Sequence, residues 1–146
     1  MSQTFTTYSA QFRITSGVTG GNIVIQGSAT KAVQILGILL SASALEYQLT
    51  RLSGITGGTS AVITGFPLDP LNPAATAVVR QYSVAPTLTV VGILDGVTFE
   101  TNVSPYLFDY TLIPGQAIIL RGTSDYLAIV SGATAICQGS IRWVET

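Results

Sequence analysis

The stretch Gly57–Tyr82, GGTSAVITGFPLDPLNPAATAVVRQY, joins two strand-like runs through a crossing punctuated by Pro67, Pro70 and Pro73. Each proline fixes φ and removes a backbone donor, so neither a central strand nor a helix interior passes through it. The crossing is therefore a shaped, semi-rigid loop. Asn72 ahead of Pro73 and Ala74 has the form of an N-cap followed by proline at the first helical position, which predicts one short helical turn near residues 72–77. Asp69 before Pro70 is a competing turn starter, because its side chain can accept a hydrogen bond from the backbone two residues on. An ordinary ordered loop fits this sequence, and so does an apolar loop covered by a neighbouring subunit.

Outward from the crossing, short runs rich in Val, Ile, Thr and Tyr recur between Gly, Pro, Asn and Asp, as in an all-β sandwich or barrel. Strands are predicted near 11–15, 23–26, 32–41, 46–52, 61–64, 77–84, 89–94, 98–102, 108–112, 117–121, 127–131 and 136–144. Leu45, Tyr47 and Leu49 share one face while Glu46, Gln48 and Thr50 take the other, the alternation of a half-buried strand. Ile35–Leu40 is nearly all apolar, which implies burial on both sides or contact with another subunit. Asp95-Gly96 between two apolar runs predicts a two-residue hairpin. The echo of Ser16–Gly21 in Ser53–Gly58 reads either as a duplicated hairpin or as convergent turn composition, with hairpin turns expected at Gly20-Gly21 and Gly57-Gly58.

At 146 residues the chain has the length of one domain and can bury roughly two thirds of its unfolded surface without staples. Its single cysteine, Cys137, forms no intrachain bridge and reads as a buried, inert thiol. Charged residues are only 9% of the chain, against about 25% in an average domain. Mean hydropathy is +0.53. The longest apolar run, Val33–Leu45, is broken by Gln34, Ser41 and Ser43 and falls short of a membrane span. The N-terminal residues show no secretory signal pattern. A surface of Ser, Thr, Asn and Gln, together with surface hidden in an oligomer, accounts for the low charge. Net charge is -1 and the basic residues Arg13, Lys31, Arg51, Arg80, Arg121 and Arg142 are scattered singly, so nucleic acid is not an expected partner.

The absence of histidine removes the commonest general base and the commonest nitrogen metal ligand. Glu46, Asp69, Asp95, Glu100, Asp109, Asp125 and Glu145 could in principle supply a carboxylate pair for glycoside hydrolysis. They read instead as turn residues and solvated strand positions, and no catalysis, metal or cofactor is expected. The glycine pairs lack the Gly-Lys-Ser/Thr of a phosphate loop. Aromatic residues are expected mainly in the core, although exposed tyrosines or Trp143 on a sandwich could stack on sugars.

Lys31-x-Val33-x-Ile35, Leu49-x-Arg51-x-Ser53 with Gly57-Gly58-Thr59, the crossing from Pro67 to Tyr82, Pro114-Gly115-x-x-Ile118-x-Leu120-Arg121 and the final Trp143-x-Glu145 resemble small β-rich structural proteins of tailed bacteriophages. The resemblance spans roughly residues 31–145. It implies a jelly-roll-like antiparallel β-sandwich that decorates the head as a cement protein or belongs to the tail, often as a trimer. On that reading the chain is a noncatalytic virion protein, made in the host cytoplasm and placed on the capsid surface. Its partners would be copies of itself, with a trimer favoured, and the major capsid protein or other virion proteins. The alternative is a receptor- or glycan-binding module on a tail or fibre. Residues 1–10 have no counterpart in the resemblance and read as an N-terminal arm or a frayed end, with a single domain over 11–146. Ile35, Leu39, Phe66, Leu68 and Leu71 are the expected subunit or capsid contacts, since covering apolar area contributes about 25 cal/mol per Å².

Overall fold

A computed structural model describes residues 6–14, 18–42, 46–99, 105–111, 117–132 and 136–146. Twelve strands follow in order: β1 (Thr6–Ile14), β2 (Gly20–Gln26), β3 (Ala32–Ala42), β4 (Glu46–Thr56), β5 (Thr59–Ile63), β6 (Phe66–Pro67), β7 (Val78–Val84), β8 (Thr87–Thr98), β9 (Tyr106–Asp109), β10 (Ile118–Arg121), β11 (Tyr126–Ser131) and β12 (Cys137–Glu145). Two antiparallel sheets pack face to face. Sheet one runs β10-β3-β12-β1-β6, with β9 also paired to β3, and sheet two runs β5-β7-β2-β11-β4-β8. The fold is the expected all-β, jelly-roll-like sandwich.

The pairings nest: β1 with β12, β2 with β11, β3 with β10 and β9, β4 with β8, and β5 with β7. The chain is thus one long antiparallel ribbon rolled on itself, and the proline-rich crossing is its tip. Alternation places Ile23, Ile25, Leu49, Leu127 and Ile129 of sheet two against Tyr8, Phe12, Ile35, Ile38, Leu40 and Trp143 of sheet one. The β4–β8 and β5–β7 pairs are continuous halves of the ribbon, which turns at Gly57-Gly58 opposite Ala85-Pro86. Gly57 and Gly58 have φ of 70° and 74°, the left-handed region open to glycine. A Cβ on Gly58 would also lie 2.6 Å from the Val84 carbonyl oxygen. Because the ribbon turns here, Ile55 and Leu88 fold onto Val24, Leu52, Tyr82 and Ala128, forming a second small core. Thr50, expected on a solvated face, is buried as a result.

The ribbon tip returns to the ribbon's base. Phe66-Pro67 pairs with Ser9 and Tyr8 of β1, and the Leu68 amide donates to the Thr7 carbonyl at 2.8 Å. Gly65 leaves room for the Trp143 ring, whose Cη2 would be 2.6 Å from a Cβ there. Trp143 in turn stacks on Tyr8, with centroids 5.8 Å apart, and the Tyr8 hydroxyl donates to the Pro73 carbonyl. The fastening is Glu145, 4% exposed. Its carboxylate accepts the amides of Thr76 and Ala77 at 3.0 and 2.9 Å, the Thr76 hydroxyl at 2.7 Å and the Trp143 indole N–H at 3.1 Å.

Several expectations change. Among the described residues no helix forms. The turn expected near 72–77 forms earlier, where the Asn72 amide donates to the Asp69 carbonyl and the Leu71 amide to Asp69 Oδ1. Asp69 outcompetes Asn72 because the amides of Thr76 and Ala77, which a helix would direct along its axis, are drawn to Glu145. Asp95-Gly96 is no hairpin: both residues pair with β4 inside one strand, and Leu94 is the extra residue of a β-bulge. Neither glycine pair makes the expected hairpin turn: Gly20-Gly21 opens β2, and Gly57-Gly58 is a bend between β4 and β5, which pair with β8 and β7 and not with each other, so the echo is not a duplicated hairpin. Residues 16 and 17 of that echo, 100–102 of the predicted strand 98–102, and Leu112 and Pro114-Gly115 lie outside the described residues. Of the arm expected over 1–10, residues 6–10 belong to β1, where Tyr8 and Ala10 are buried; residues 1–5 lie outside the described residues.

Burial pulls the Glu145 carboxyl pKa up, but hydrogen bonds from Ala77, Thr76 and Trp143 outweigh it and leave the pKa below the usual carboxylate range. A depressed folded pKa adds stability that is complete above the unfolded value of about 4.3 and is lost as pH falls through the folded value. Glu145→Gln is expected to cost about 2 kcal/mol or more in denaturant unfolding at pH 7, since an amide nitrogen faces donors it cannot accept. The variant is also expected to lose less stability than the wild type when both are acidified below about pH 4.3.

Candidate functional site

The described carboxylates are each held by local structure. Glu46 accepts the Gln48 amide, and Asp69 makes the turn at the ribbon tip. Asp109 accepts the amide and hydroxyl of Thr111, which hold its pKa below the ordinary value. Asp125 receives Arg51 Nε and Nη2, both at 2.9 Å, and the Arg121 amide at 3.0 Å. Burial raises the Asp125 pKa, and the bonds from Arg51 and Arg121 bring it below its usual value. Arg51 Nη2 also donates to the Ile119 carbonyl, so this pair ties β4 of sheet two to β10 of sheet one. Glu145, read from sequence as a turn or solvated strand residue, is buried at the ribbon tip. Among the described residues no group of three His, Cys, Asp or Glu side chains is placed to hold a metal ion.

Asp95 joins the sheets at another corner, accepting the Tyr110 hydroxyl at 2.9 Å. Burial first, then donation to Asp95, raises the Tyr110 pKa. Cys137 is buried in the core, and burial pushes its thiol up to about 11. The tyrosine-based sugar platform has little material: Tyr8, Tyr47, Tyr82 and Trp143 are buried, and among the described tyrosines only Tyr106 is exposed.

The surface feature that stands out is apolar. β8 is the outer strand of sheet two, paired on one side with β4. Along it Val90, Val91, Ile93 and Leu94 are all exposed, Val91 at 63%. Two β-bulges, at Val91 and Leu94, let neighbouring apolar side chains escape the sheet's alternation. The only charge in β8 is Asp95, already engaged by Tyr110 and by the Gly96 amide. Edge strands are usually guarded by lysine, proline or bulges. Here the bulges interrupt a regular backbone ladder, while the side chains still present an apolar surface to a neighbour.

The expected contact residues separate. Ile35 lies in the core at 0% exposure and is corrected to a packing residue. A bulge at Leu36, opposite the Arg142/Trp143 step, resets the alternation of β3 so that Ile35 and Ile38 both point inward. Leu39 is exposed at 42%, facing outward from sheet one. Phe66, Leu68 and Leu71 are exposed at the ribbon tip, Leu71 at 92%. Sequence reading missed the β8 edge, because the run 90–94 looks like a buried strand and its signal was absorbed into the supposed hairpin at Asp95-Gly96.

No protein-family model, curated protein or solved structure matches the chain. The native protein is expected to leave Cys137 unmodified by a disulfide thiol reagent at pH 8, and to react with one equivalent once unfolded in guanidinium. Rapid labelling of the native state would show that the sheets open at β12.

Proposed function

We propose that the protein is a noncatalytic virion structural protein of a tailed phage, a capsid decoration protein that self-associates, as a trimer, and cements the head shell. The observation that carries this reading is the bare apolar edge of β8, on a chain with too few charges to keep such a surface solvated. Apolar surface of this kind marks an interaction site on a folded protein. Leu68 and Leu71 at the ribbon tip add a second apolar site, suited to a shell or a neighbouring subunit. The resemblance of residues 31–145 to phage structural proteins supplies the setting. The engagement of the described carboxylates in turns and ties favours a structural role over hydrolysis.

A cement protein needs no reactive group. It needs a rigid body with sites for its neighbours, and the rolled ribbon offers apolar contacts at the β8 edge and at the tip. Contacts that hold a trimer in solution gain further strength when many copies are held side by side on a lattice.

Sedimentation of the purified protein is expected to show a trimer that V91K/I93K converts to monomer, with thermal stability nearly unchanged because both side chains are exposed. A wild type that stays monomeric at high concentration, or a variant that associates equally well, contradicts the self-association. Protein analysis of purified particles is expected to find the chain in many copies; its absence contradicts the virion role.

A further inference from the structure

The outer face of sheet one is chemically unlike the β8 edge. Across β1 and β12 the register sets Ser9 beside Arg142, Gln11 beside Ser140, and Arg13 beside Gln138. The rows continue onto β3, where Ser140 neighbours Leu39 and Gln138 neighbours Ser41. The first row extends the other way to Phe66, which pairs with Ser9 and is 65% exposed. Two shallow depressions follow this grid. One of about 670 Å³ is walled by Leu39 and Pro105 over Gln11, Arg13, Gln138 and Ser140. The other, about 400 Å³, lies between Phe66 and Ser9 and shares Gln11 with the first. Together they form a trough across the sheet.

In this trough Gln11, Arg13, Gln138 and Ser140, and beside it Arg142, the register neighbour of Ser9, have no side-chain hydrogen bond or ion pair among the described residues. β12 lies between β1 and β3, so its backbone groups are consumed by ladders on both sides. An added peptide strand finds no backbone to pair with here, and recognition falls to side chains. The amides and hydroxyls each donate and accept, which suits ring hydroxyls. Phe66, Leu39 and Pro105 offer apolar surface for the C–H face of a sugar. Arg13 and Arg142 stand at opposite ends of the polar rows, separated by four strand positions, about 13 Å along β12. The nearest acid in this register, Asp109, continues the Arg142 row beyond Gly37 and is turned to Thr111.

We propose that this trough binds a short acidic oligosaccharide, with its carboxylates on Arg13 and Arg142 and one ring on Phe66. Arginine suits carboxylates because its planar fork can donate two parallel hydrogen bonds. This binding function does not use the β8 edge and lies on the opposite sheet.

The test is saturation-transfer NMR and calorimetry on the intact protein with two probes, tetragalacturonate and trisialic acid, against maltotetraose and tetraglutamate as neutral and peptide controls. Saturable binding of at least one acidic sugar is expected, with weaker binding of maltotetraose and none of tetraglutamate. R13A and R142A are each expected to weaken it up to roughly fivefold, the scale of an exposed ion pair. F66A is expected to remove the saturation transfer to the ring protons, and R80A, on sheet two, to change nothing. All variants alter side chains that are at least partly exposed, and thermal unfolding checks that they fold. Silence with both acidic sugars, equal binding of tetraglutamate, or wild-type affinity in both R13A and R142A overturns the proposal.

Discussion

The buried carboxylate of Glu145 is the constraint on which the rolled ribbon depends. Sixty-nine residues separate it from Thr76, yet it gathers the Thr76 and Ala77 amides, the Thr76 hydroxyl and the Trp143 indole. Taking a charge out of water is costly, and the cost is met only because donors surround it on several sides. Those donors exist only when the tip of the ribbon has returned to its base. The bond set therefore couples the last strand, the first strand and the middle of the chain into one cooperative unit. Thr76 extends the network to Ser28, which orders the β2–β3 connection through the Thr30 and Lys31 amides.

Rolling a nested ribbon has a consequence at its edges. Inner strands such as β2, β11 and β12 are paired on both sides, while β5 and β8 are left with one partner each. The turn at Gly57-Gly58 folds one part of the ribbon over sheet two and gives it a second core, but among the described residues no strand pairs with the outer side of β8. Its apolar side chains and the polar trough on sheet one divide the molecule into two kinds of surface. The first is the proposed contact with neighbouring subunits, and the second is the proposed sugar site.

Much of the strand pattern was legible, because alternation reports which face of a strand is buried, and Tyr47 and Leu49 do face the core. What depended on distant partners was not. Asp95-Gly96 has the local chemistry of a hairpin, but pairing with β4 decides its conformation. Ile35 and Leu39 look alike in sequence, and a single bulge at Leu36 sends one into the core and leaves the other outside. Glu145 shares the inward side of β12 with Trp143, a spacing visible in sequence, yet nothing local reveals the donors at Thr76 and Ala77. The proline crossing was rightly read as a shape; that the shape serves to bring the tip back to Glu145 required the fold. The polar trough was hidden for the same reason, being assembled from β1, β12, β3 and β6.

The proposed role in a particle rests on an all-β sandwich, an apolar edge and a low charge. The most direct measurement is a three-dimensional map of the intact particle at a resolution that traces strands. The account predicts this sandwich in many copies on the outside of the shell, with the β8 edge against a neighbouring subunit or the capsid and the outer face of sheet one open to solvent. A particle lacking the sandwich, or one in which the β8 edge faces solvent in every copy, would contradict it.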